Sequence, residues 1–312
     1  MSGIYGFAGF EEDGLLEKMG RVIRHRGPDG EGCYLTPGDV RFAMGMRRLS
    51  IIDLESGWQP IYNEDRTLAI CYNGETYNYL ELRADLEKQG HIFTTHSDTE
   101  TLVHGFEQWG IEGLLGRMNG MFAFCIYDVR KRESVIARDR CGQKPLYYHH
   151  QNGRFLFGSE VKSILQSRHV SAAPNLQAID PFLTLRNVPE PATMFEGIHT
   201  LPAGHYLRFQ IDSGRLDIRR YWEIALLEPG HAAFKSLFTD SVRLCMRSDV
   251  PVGAYLSAGV DSSLTVASMT KFSSSINTYS IGFDSPVDET PAARETARFL
   301  GTNHHEITCR PE

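Results

Sequence analysis

The first nine residues, MSGIYGFAG, constrain the fold of this chain more than any other stretch. Met1 precedes a small residue, the context in which methionine aminopeptidase normally removes the initiator. Removal would leave Ser2 with a free α-amine beside its own hydroxyl, and a neutral N-terminal amine can activate such a nucleophile. The following apolar residues, with Gly6 and Gly9, predict a short strand with room for close backbone approach. An ordinary translation start before a first strand is the alternative.

Four polar motifs follow within the first hundred residues: RHRGPDG at 24–30, RLSIID at 48–53, NGETYN at 73–78 and HSDTE at 96–100. Each is weak alone, because Arg48 could be a surface cation, Asn73-Gly74 a hairpin turn and Asp98 a helix N-cap. Together they supply what a site for an α-amino-acid amide requires. A protein guanidinium can pair with the carboxylate of the ligand, and a protein carboxylate can pair with its ammonium. Asn73 and the Gly74 amide could donate two hydrogen bonds to a developing oxyanion.

In this order the motifs resemble those of the glutamine-hydrolysing asparagine synthetases, whose N-terminal half is a glutamine amidotransferase domain of the N-terminal-nucleophile hydrolase type. The similarity continues through GMFAF at 120–124, RDR at 138–140, KPLY at 144–147 and GSEVK at 158–162. The resemblance implies an α+β four-layer sandwich followed by the start of an α/β doubly wound parallel sheet. Short strands and helices in separate blocks over the first 209 residues agree with the sandwich.

The resemblance also implies roles for individual residues. Arg48 would hold the glutamine carboxylate, while Asn73 and Gly74 would bind glutamine and form the oxyanion hole. The remaining glutamine contacts would come from Leu49, Ile51, Ile52, Glu75 and Asp98.

The family's nucleophile is a cysteine, and this chain has Ser2 at that position. A thiol titrates near 8.5 and its thiolate is intrinsically very nucleophilic, whereas a serine hydroxyl is far harder to deprotonate. We therefore expect glutamine to bind and its hydrolysis to be slow or absent.

The domain boundary is predicted near residues 212–214, which gives a glutamine amidotransferase domain at 1–212 and a partial ATP-pyrophosphatase domain at 213–312. In the second domain, a predicted helix at 232–246 leads to a buried strand at 250–256, the loop SAGVDSS at 257–263 and another helix. A small-residue loop before a helix N-terminus is suited to anions. A plain turn capped by serine or aspartate is the alternative.

This loop resembles the pyrophosphate loop of the ATP-pyrophosphatase fold, with Ala258 where the family has glycine. The resemblance implies that Asp261 binds Mg²⁺ and that ATP contacts Leu256, Ser257, Ala258, Gly259, Val260, Asp261, Ser262 and Ile281. The family places its aspartate site beyond the position of Glu312, so we expect this chain alone to make no asparagine.

The composition and net charge of the chain limit the kinds of partner and site that it can have. With 41% hydrophobic and 23% charged residues, 312 residues can form the cores of two domains. A net charge of −7 argues against nucleic acid or an anionic membrane surface as the main partner. The sequence has no apolar run of membrane-spanning length and no signal-peptide pattern at its N-terminus, which predicts a cytoplasmic protein. Six scattered cysteines without CxxC or HExxH motifs argue against structural zinc and against disulfides.

The function predicted is that of an asparagine synthetase, in which glutamine-derived ammonia amidates L-aspartate while ATP, with Mg²⁺, becomes AMP and pyrophosphate. L-glutamine, ATP and L-aspartate are the expected partners, and a homodimer is left open. Two alternatives remain. One is an ATP-dependent amide- or lactam-forming synthetase that has lost its glutaminase; the other is a glutamine-binding pseudoenzyme or fragment.

Overall fold

The computed structural model describes residues 1–38, 41–225, 234–284 and 288–310. It divides the chain into two compact units, Met1–Ala225 and Leu226–Glu312. The predicted boundary at residue 212 falls in the turn of a hairpin whose strands are His205–Gln210 and Arg215–Arg220. The sequence also predicts a strand at 40–46, and its start at Val40 and the start of the predicted helix at Ala232 both lie outside the described residues.

The first unit contains two antiparallel six-stranded sheets. In spatial order the first sheet contains β10 (Ile198–Thr200), β8 (Tyr147–Gln151), β9 (Arg154–Gly158), β1 (Gly3–Ala8), β3 (Phe42–Arg48) and β2 (Gly30–Leu35). The second sheet contains β12 (Arg215–Arg220), β11 (His205–Gln210), β7 (Glu133–Arg138), β6 (Gly120–Asp128), β5 (Leu68–Thr76) and β4 (Ile61–Tyr62).

Helices cover the outer faces of both sheets, so the unit has four layers. The helices are α1 (Leu15–Arg21), α2 (Tyr79–Lys88), α3 (Asp98–Arg117), α4 (Val161–Ile164) and α5 (Ile179–Leu185), with 3-10 turns at Arg24–Arg26 and Leu176–Ala178. One core lies between the two sheets, a second joins the second sheet to α2 and α3, and a third joins the first sheet to α1 and α4. The hydrophobic periodicity of the sequence predicts separate helices at 99–109 and 111–115, and the structure joins them in α3 across a non-helical Gly110.

Strand β1 is buried on both faces. Ile4 and Ala8 pack into the core between the sheets, whereas Tyr5 and Phe7 pack towards α1. Gly6 has no room for a side chain, because a Cβ there would lie 2.5 Å from the Ala43 carbonyl oxygen. The central position of β1 therefore brings the N-terminus to a fixed place in the domain.

The second unit has a parallel sheet of β13 (Gly253–Tyr255), β14 (Asn277–Phe283) and β15 (Asn303–Cys309), with helices α6 (Phe234–Cys245), α7 (Val260–Met269) and α8 (Thr290–Leu300). Its core includes Leu256 and Val266. The prediction of a buried strand at 250–256 is wrong for one face, since Tyr255 is 80% exposed. In the described part of the chain, no helix is long and apolar enough to cross a membrane.

We expect Gly6→Ala to lower the free energy of unfolding by about 1–3 kcal/mol, because the new methyl group overpacks the centre of the sandwich. Gly116→Ala is the control, since a Cβ at that position in α3 would meet nothing within 4 Å. Urea denaturation compares the two variants. Equal midpoints for Gly6→Ala and the unmodified chain would contradict the close packing of β1.

Candidate active site

Ser2 lies at the end of the first sheet at which strand β1 begins and its neighbour β3 ends. The Leu49 amide donates to Ser2 Oγ at 3.1 Å, and Ser2 Oγ lies 3.4 Å from the Leu49 carbonyl oxygen. Arg26 Nε donates to the Ser2 carbonyl oxygen at 2.9 Å and Arg26 Nη1 pairs with Glu160 at 3.2 Å. Ser2 is therefore held through its hydroxyl by the motif at 48–53 and through its carbonyl by the motif at 24–30.

The surroundings of the N-terminus are electropositive. Partial burial lowers the pKa of the Met1 amine, and the charges of Arg26 and Lys144 lower it further. Lys144 is itself buried, and that burial lowers its pKa while the charge of Glu75 opposes the shift. The N-terminal amine therefore loses its proton at a lower pH than a fully exposed amine does, so a larger share of it is neutral and can act as a base.

The motif RDR at 138–140 shapes the loop that carries Lys144. The buried Asp139 carboxylate accepts hydrogen bonds from the amides of Phe122, Cys141, Gln143 and Lys144. Arg138 Nε donates to the Lys144 carbonyl oxygen at 2.8 Å. Neither Arg26 nor Lys144 was among the predicted site residues, although both lie in motifs that carry the resemblance.

Arg48 ends β3 with a buried guanidinium. Its Nη2 donates to the carbonyl oxygens of Ile52 at 3.1 Å and Asp53 at 2.6 Å, and its guanidinium lies 5.3 Å from the Trp58 ring centre. Its Nη1 has no hydrogen-bond partner in the described residues. Burial lowers the pKa of Arg48, while Asp53, Asp29 and Asp98 oppose that shift. Nη2 is thus held in place by two carbonyl oxygens, and Nη1 is left with its hydrogen-bonding capacity unsatisfied in the described residues.

Asn73 and Gly74 lie in β5, paired with Ala123 and Phe122 of β6, so they do not form a hairpin turn. Asn73 is 1% exposed, and its Nδ2 lacks a hydrogen-bond partner in the part of the chain that is described. At Gly74 a Cβ would lie 2.4 Å from the Met121 carbonyl oxygen, so only glycine fits. Asn73 can therefore donate to a ligand from a rigid strand.

Asp98 is the first residue of α3 and is buried. Its Oδ2 accepts a hydrogen bond from the Thr76 amide at 2.9 Å, which links α3 to the end of β5. The N-cap is Ser97, whose Oγ accepts from the Thr99 amide. Burial raises the pKa of Asp98 to about 6. The charge of Asp98 is among those that oppose the lowering of the pKa of Arg48.

The other predicted contacts lie on β5 and in the segment that follows β3. Glu75 is half-buried on β5, and Leu49, Ile51 and Ile52 lie in the segment after β3. This segment is held by Asp53, which has a positive φ of 54° and accepts hydrogen bonds from the Ser56 and His96 amides. One carbonyl of the segment, that of Ile52, is already bonded to Arg48.

In the second unit, the loop from Ser257 leads into α7, which begins at Val260. Ser257 Oγ lies 2.9 Å from Ser262 Oγ and accepts from the Gly259 amide at 3.1 Å. The Ala258 amide donates to Glu289 Oε2 at 3.3 Å. Ala258 has no positive φ, so its methyl group causes no backbone strain where the family has glycine.

A cavity of about 230 Å³ lies beside this loop. Of the predicted ATP contacts, it is lined by Leu256, Ser257, Ser262 and Ile281. Asp261 is exposed in the first turn of α7. The Leu256 side chain is itself packed in the core of the unit, and Ile281 is 54% exposed.

Comparison with known families divides the chain in the same way as the structure does. The glutamine amidotransferase domain family matches residues 1–222, and the asparagine synthase family matches residues 233–312.

Curated relatives carry both parts. A putative glutamine-hydrolysing asparagine synthetase of Methanocaldococcus jannaschii is 36% identical over 98% of this chain and 64% of its own length. Asparagine synthetase 1 of Bacillus subtilis is 36% identical over 97% of this chain and 48% of its own length. The chain thus spans about half to two thirds of the length of these relatives.

Solved structures share the fold. The glutamine phosphoribosylpyrophosphate amidotransferase of B. subtilis aligns over 97% of this chain and 65% of its own, with a TM-score of 0.51 and 19% identity. A structure described as the allosteric regulatory enzyme of purine biosynthesis gives a TM-score of 0.54 at 19% identity, over 97% of this chain and 64% of its own. The predicted fold class is confirmed. The chain belongs to the glutamine amidotransferase family, within the group of the glutamine-hydrolysing asparagine synthetases.

Proposed function

We propose that the first unit binds L-glutamine and releases its amide nitrogen as ammonia, and that the second unit binds ATP for the activation of L-aspartate. The observation that carries the first part is a pair of buried donors, Arg48 Nη1 and Asn73 Nδ2, that lack partners in the described residues. Buried donors without partners are costly, so a pocket that retains them is suited to a ligand that accepts from both.

The charges of the pocket match the two ends of an amino acid. Arg48 supplies a positive group for the carboxylate and Asp98 a negative group for the ammonium. Glu75 and the backbone of Leu49, Ile51 and Ile52 would complete the contacts. Asn73 Nδ2 and the Gly74 amide would then face the side-chain carboxamide, where an oxyanion develops during hydrolysis.

Hydrolysis requires a nucleophile at residue 2. After removal of Met1, the Ser2 amine would take the proton of its own hydroxyl, and Oγ would attack the carboxamide carbon. The C–N bond then breaks, ammonia leaves with the added proton, and water cleaves the resulting ester to glutamate. The hydroxyl is a weak nucleophile at neutral pH, so Ser2 limits this step and not the binding of glutamine.

The loop of the second unit fits the phosphates of ATP. Ser257 and the amides at the start of α7 offer hydrogen-bond donors, and Ala258 fits without strain. Asp261 offers one exposed carboxylate, which suits Mg²⁺ because this ion is commonly held by one or two carboxylates together with substrate phosphates. When bound, ATP supplies the adenylyl group that activates a carboxylate. Glu289 would have to release the Ala258 amide to a phosphate.

Arg48→Ala should weaken glutamine binding by at least about 30-fold, or roughly 2 kcal/mol, because it removes a buried charge that pairs with the carboxylate. Calorimetric titration measures the affinity. Arg47→Ala is the matched control, since Arg47 Nε donates to the Gly20 carbonyl oxygen instead. Equal weakening in both variants would remove Arg48 from the glutamine site.

Ser2→Cys should raise glutaminase activity by at least about tenfold, because a thiolate forms more easily and is the stronger nucleophile. Glutamate release is the measurement, and Ser2→Ala is the inactive control.

Intact mass should show that Met1 is absent from the purified chain. A retained or acetylated N-terminus would contradict a catalytic role for residue 2.

Glutamine affinity should fall by about tenfold as the pH decreases from 7 to 5, because Asp98, with its pKa raised to about 6, becomes protonated and no longer pairs with the ammonium. Titration calorimetry at several pH values is the measurement. Affinity that stays constant over this range would contradict the assignment of Asp98 to the ammonium.

Stability provides an independent check on the same carboxyl. Since the folded-state pKa of Asp98 lies above its ordinary value of 3.8, the folded chain binds the extra proton between about pH 4 and pH 6. The contribution of Asp98 to the free energy of unfolding is therefore lost as the pH rises through this range. In the absence of glutamine, the Asp98→Asn variant should not show this decrease in the free energy of unfolding as the pH rises.

A further inference from the structure

A second group of polar side chains lies in the first unit and has no role in the proposed reaction. Glu64, His91, His104 and Glu107, here called the Glu–His cluster, each offer one ligand atom, and these four atoms all lie within 4.8 Å of one another. They come from three separate segments: the turn between β4 and β5, the residues after α2, and α3. His104 and Glu107 are three residues apart, so they share one face of α3.

His104 lies at the centre of this cluster and is 1% exposed. Neither of its ring nitrogens has a hydrogen-bond partner in the described residues. Nδ1 is 3.3 Å from Glu64 Oε2 and Nε2 is 3.6 Å from Glu100 Oε1, so oxygens are close but not aligned to accept. Buried histidine nitrogens normally have a partner, and a bound cation would supply one.

The carboxylates around His104 are oriented by other contacts. Glu64 Oε1 accepts from the Ile92 amide at 3.0 Å and lies 3.2 Å from His91 Nδ1. Glu107 Oε2 accepts from Asn63 Nδ2 at 3.1 Å. Such outer contacts orient ligands in metal sites, and they leave Glu64 Oε2 facing His104.

We propose that the Glu–His cluster binds one Zn²⁺ ion in a structural site, contrary to the expectation of no structural zinc that the cysteine pattern gave, because its ligands are histidines and glutamates. Two imidazoles and two carboxylates are ligands that Zn²⁺ accepts, and four protein ligands complete its tetrahedron and leave no open position for chemistry. Mg²⁺ and Ca²⁺ prefer sites made of oxygens only. Zinc bond lengths imply ligand atoms about 3.4 Å apart, so atoms that lie within 4.8 Å of one another would have to approach by at most about 1.4 Å.

The ion would join three segments of the outer helical layer. It would tie α3 to the β4–β5 turn and to the end of α2. Asp98 lies six residues before His104, roughly 9 Å away along the helix, so the ion would not touch glutamine. The expected effect is on the stability of the layer that carries Asp98.

The test uses the purified full chain after treatment with a chelator. Titration with ZnCl₂ should give one site per chain. His91→Gln and Glu107→Gln should each weaken it at least about tenfold. Glu107 is exposed and the exchange keeps an acceptor for Asn63, so this variant should fold even if His104→Gln does not. His199→Gln, at an exposed position of β10, is the control.

Two further measurements separate this site from adventitious binding. Zn²⁺ should raise the thermal midpoint of the unmodified chain and of His199→Gln, but not of His91→Gln. Visible absorption of the Co²⁺-loaded chain should indicate tetrahedral nitrogen and oxygen ligation without a thiolate band. Absence of a stoichiometric site overturns the proposal. So does binding that survives in His91→Gln and Glu107→Gln but is lost when the cysteines are alkylated.

Discussion

The burial of β1 between two layers is the constraint on which the candidate active site depends. All six residues from Gly3 to Ala8 are buried, and the strand pairs with β3 on one side and β9 on the other. Ser2 directly precedes this strand, so its position is set by a strand that is buried along its whole length. A nucleophile that uses its own α-amine needs such a support, because a free chain end is otherwise among the most mobile parts of a domain.

Polar groups in this pocket are costly to the fold. Arg48 Nη1 and Asn73 Nδ2 are buried without partners in the described residues, and each such donor costs about 1–3 kcal/mol. The surrounding structure offsets that cost through contacts that fix the same side chains, such as the carbonyls of Ile52 and Asp53 on Arg48. Preorganised donors of this kind are typical of a site built for an amide or a carboxylate.

The sequence predicted the fold class correctly, because the motifs occur in a recognisable order, while the roles of the individual site residues stay predictions. It left open whether Asn73-Gly74 is a turn, and the nine-residue pairing of β5 with β6 decides that it is strand. Arg26 and Lys144 were missed since their contacts with the N-terminal region join segments that are distant in the sequence. The Glu–His cluster could not be found from spacing, because three segments of the chain converge there only after folding.

Ser2 and the pocket around it have different physical requirements, and this difference bears on what the chain does. The binding groups depend on the burial of Arg48 and Asp98 and on the rigidity of β5, none of which involves the atom at residue 2. Bond cleavage depends on that atom, because the protonation of a hydroxyl at neutral pH leaves almost no anionic nucleophile. In the proposed function, an exchange of sulfur for oxygen therefore slows the chemistry and leaves the affinity for glutamine unchanged. A chain that works in this way would retain bound glutamine for longer than a relative with a cysteine.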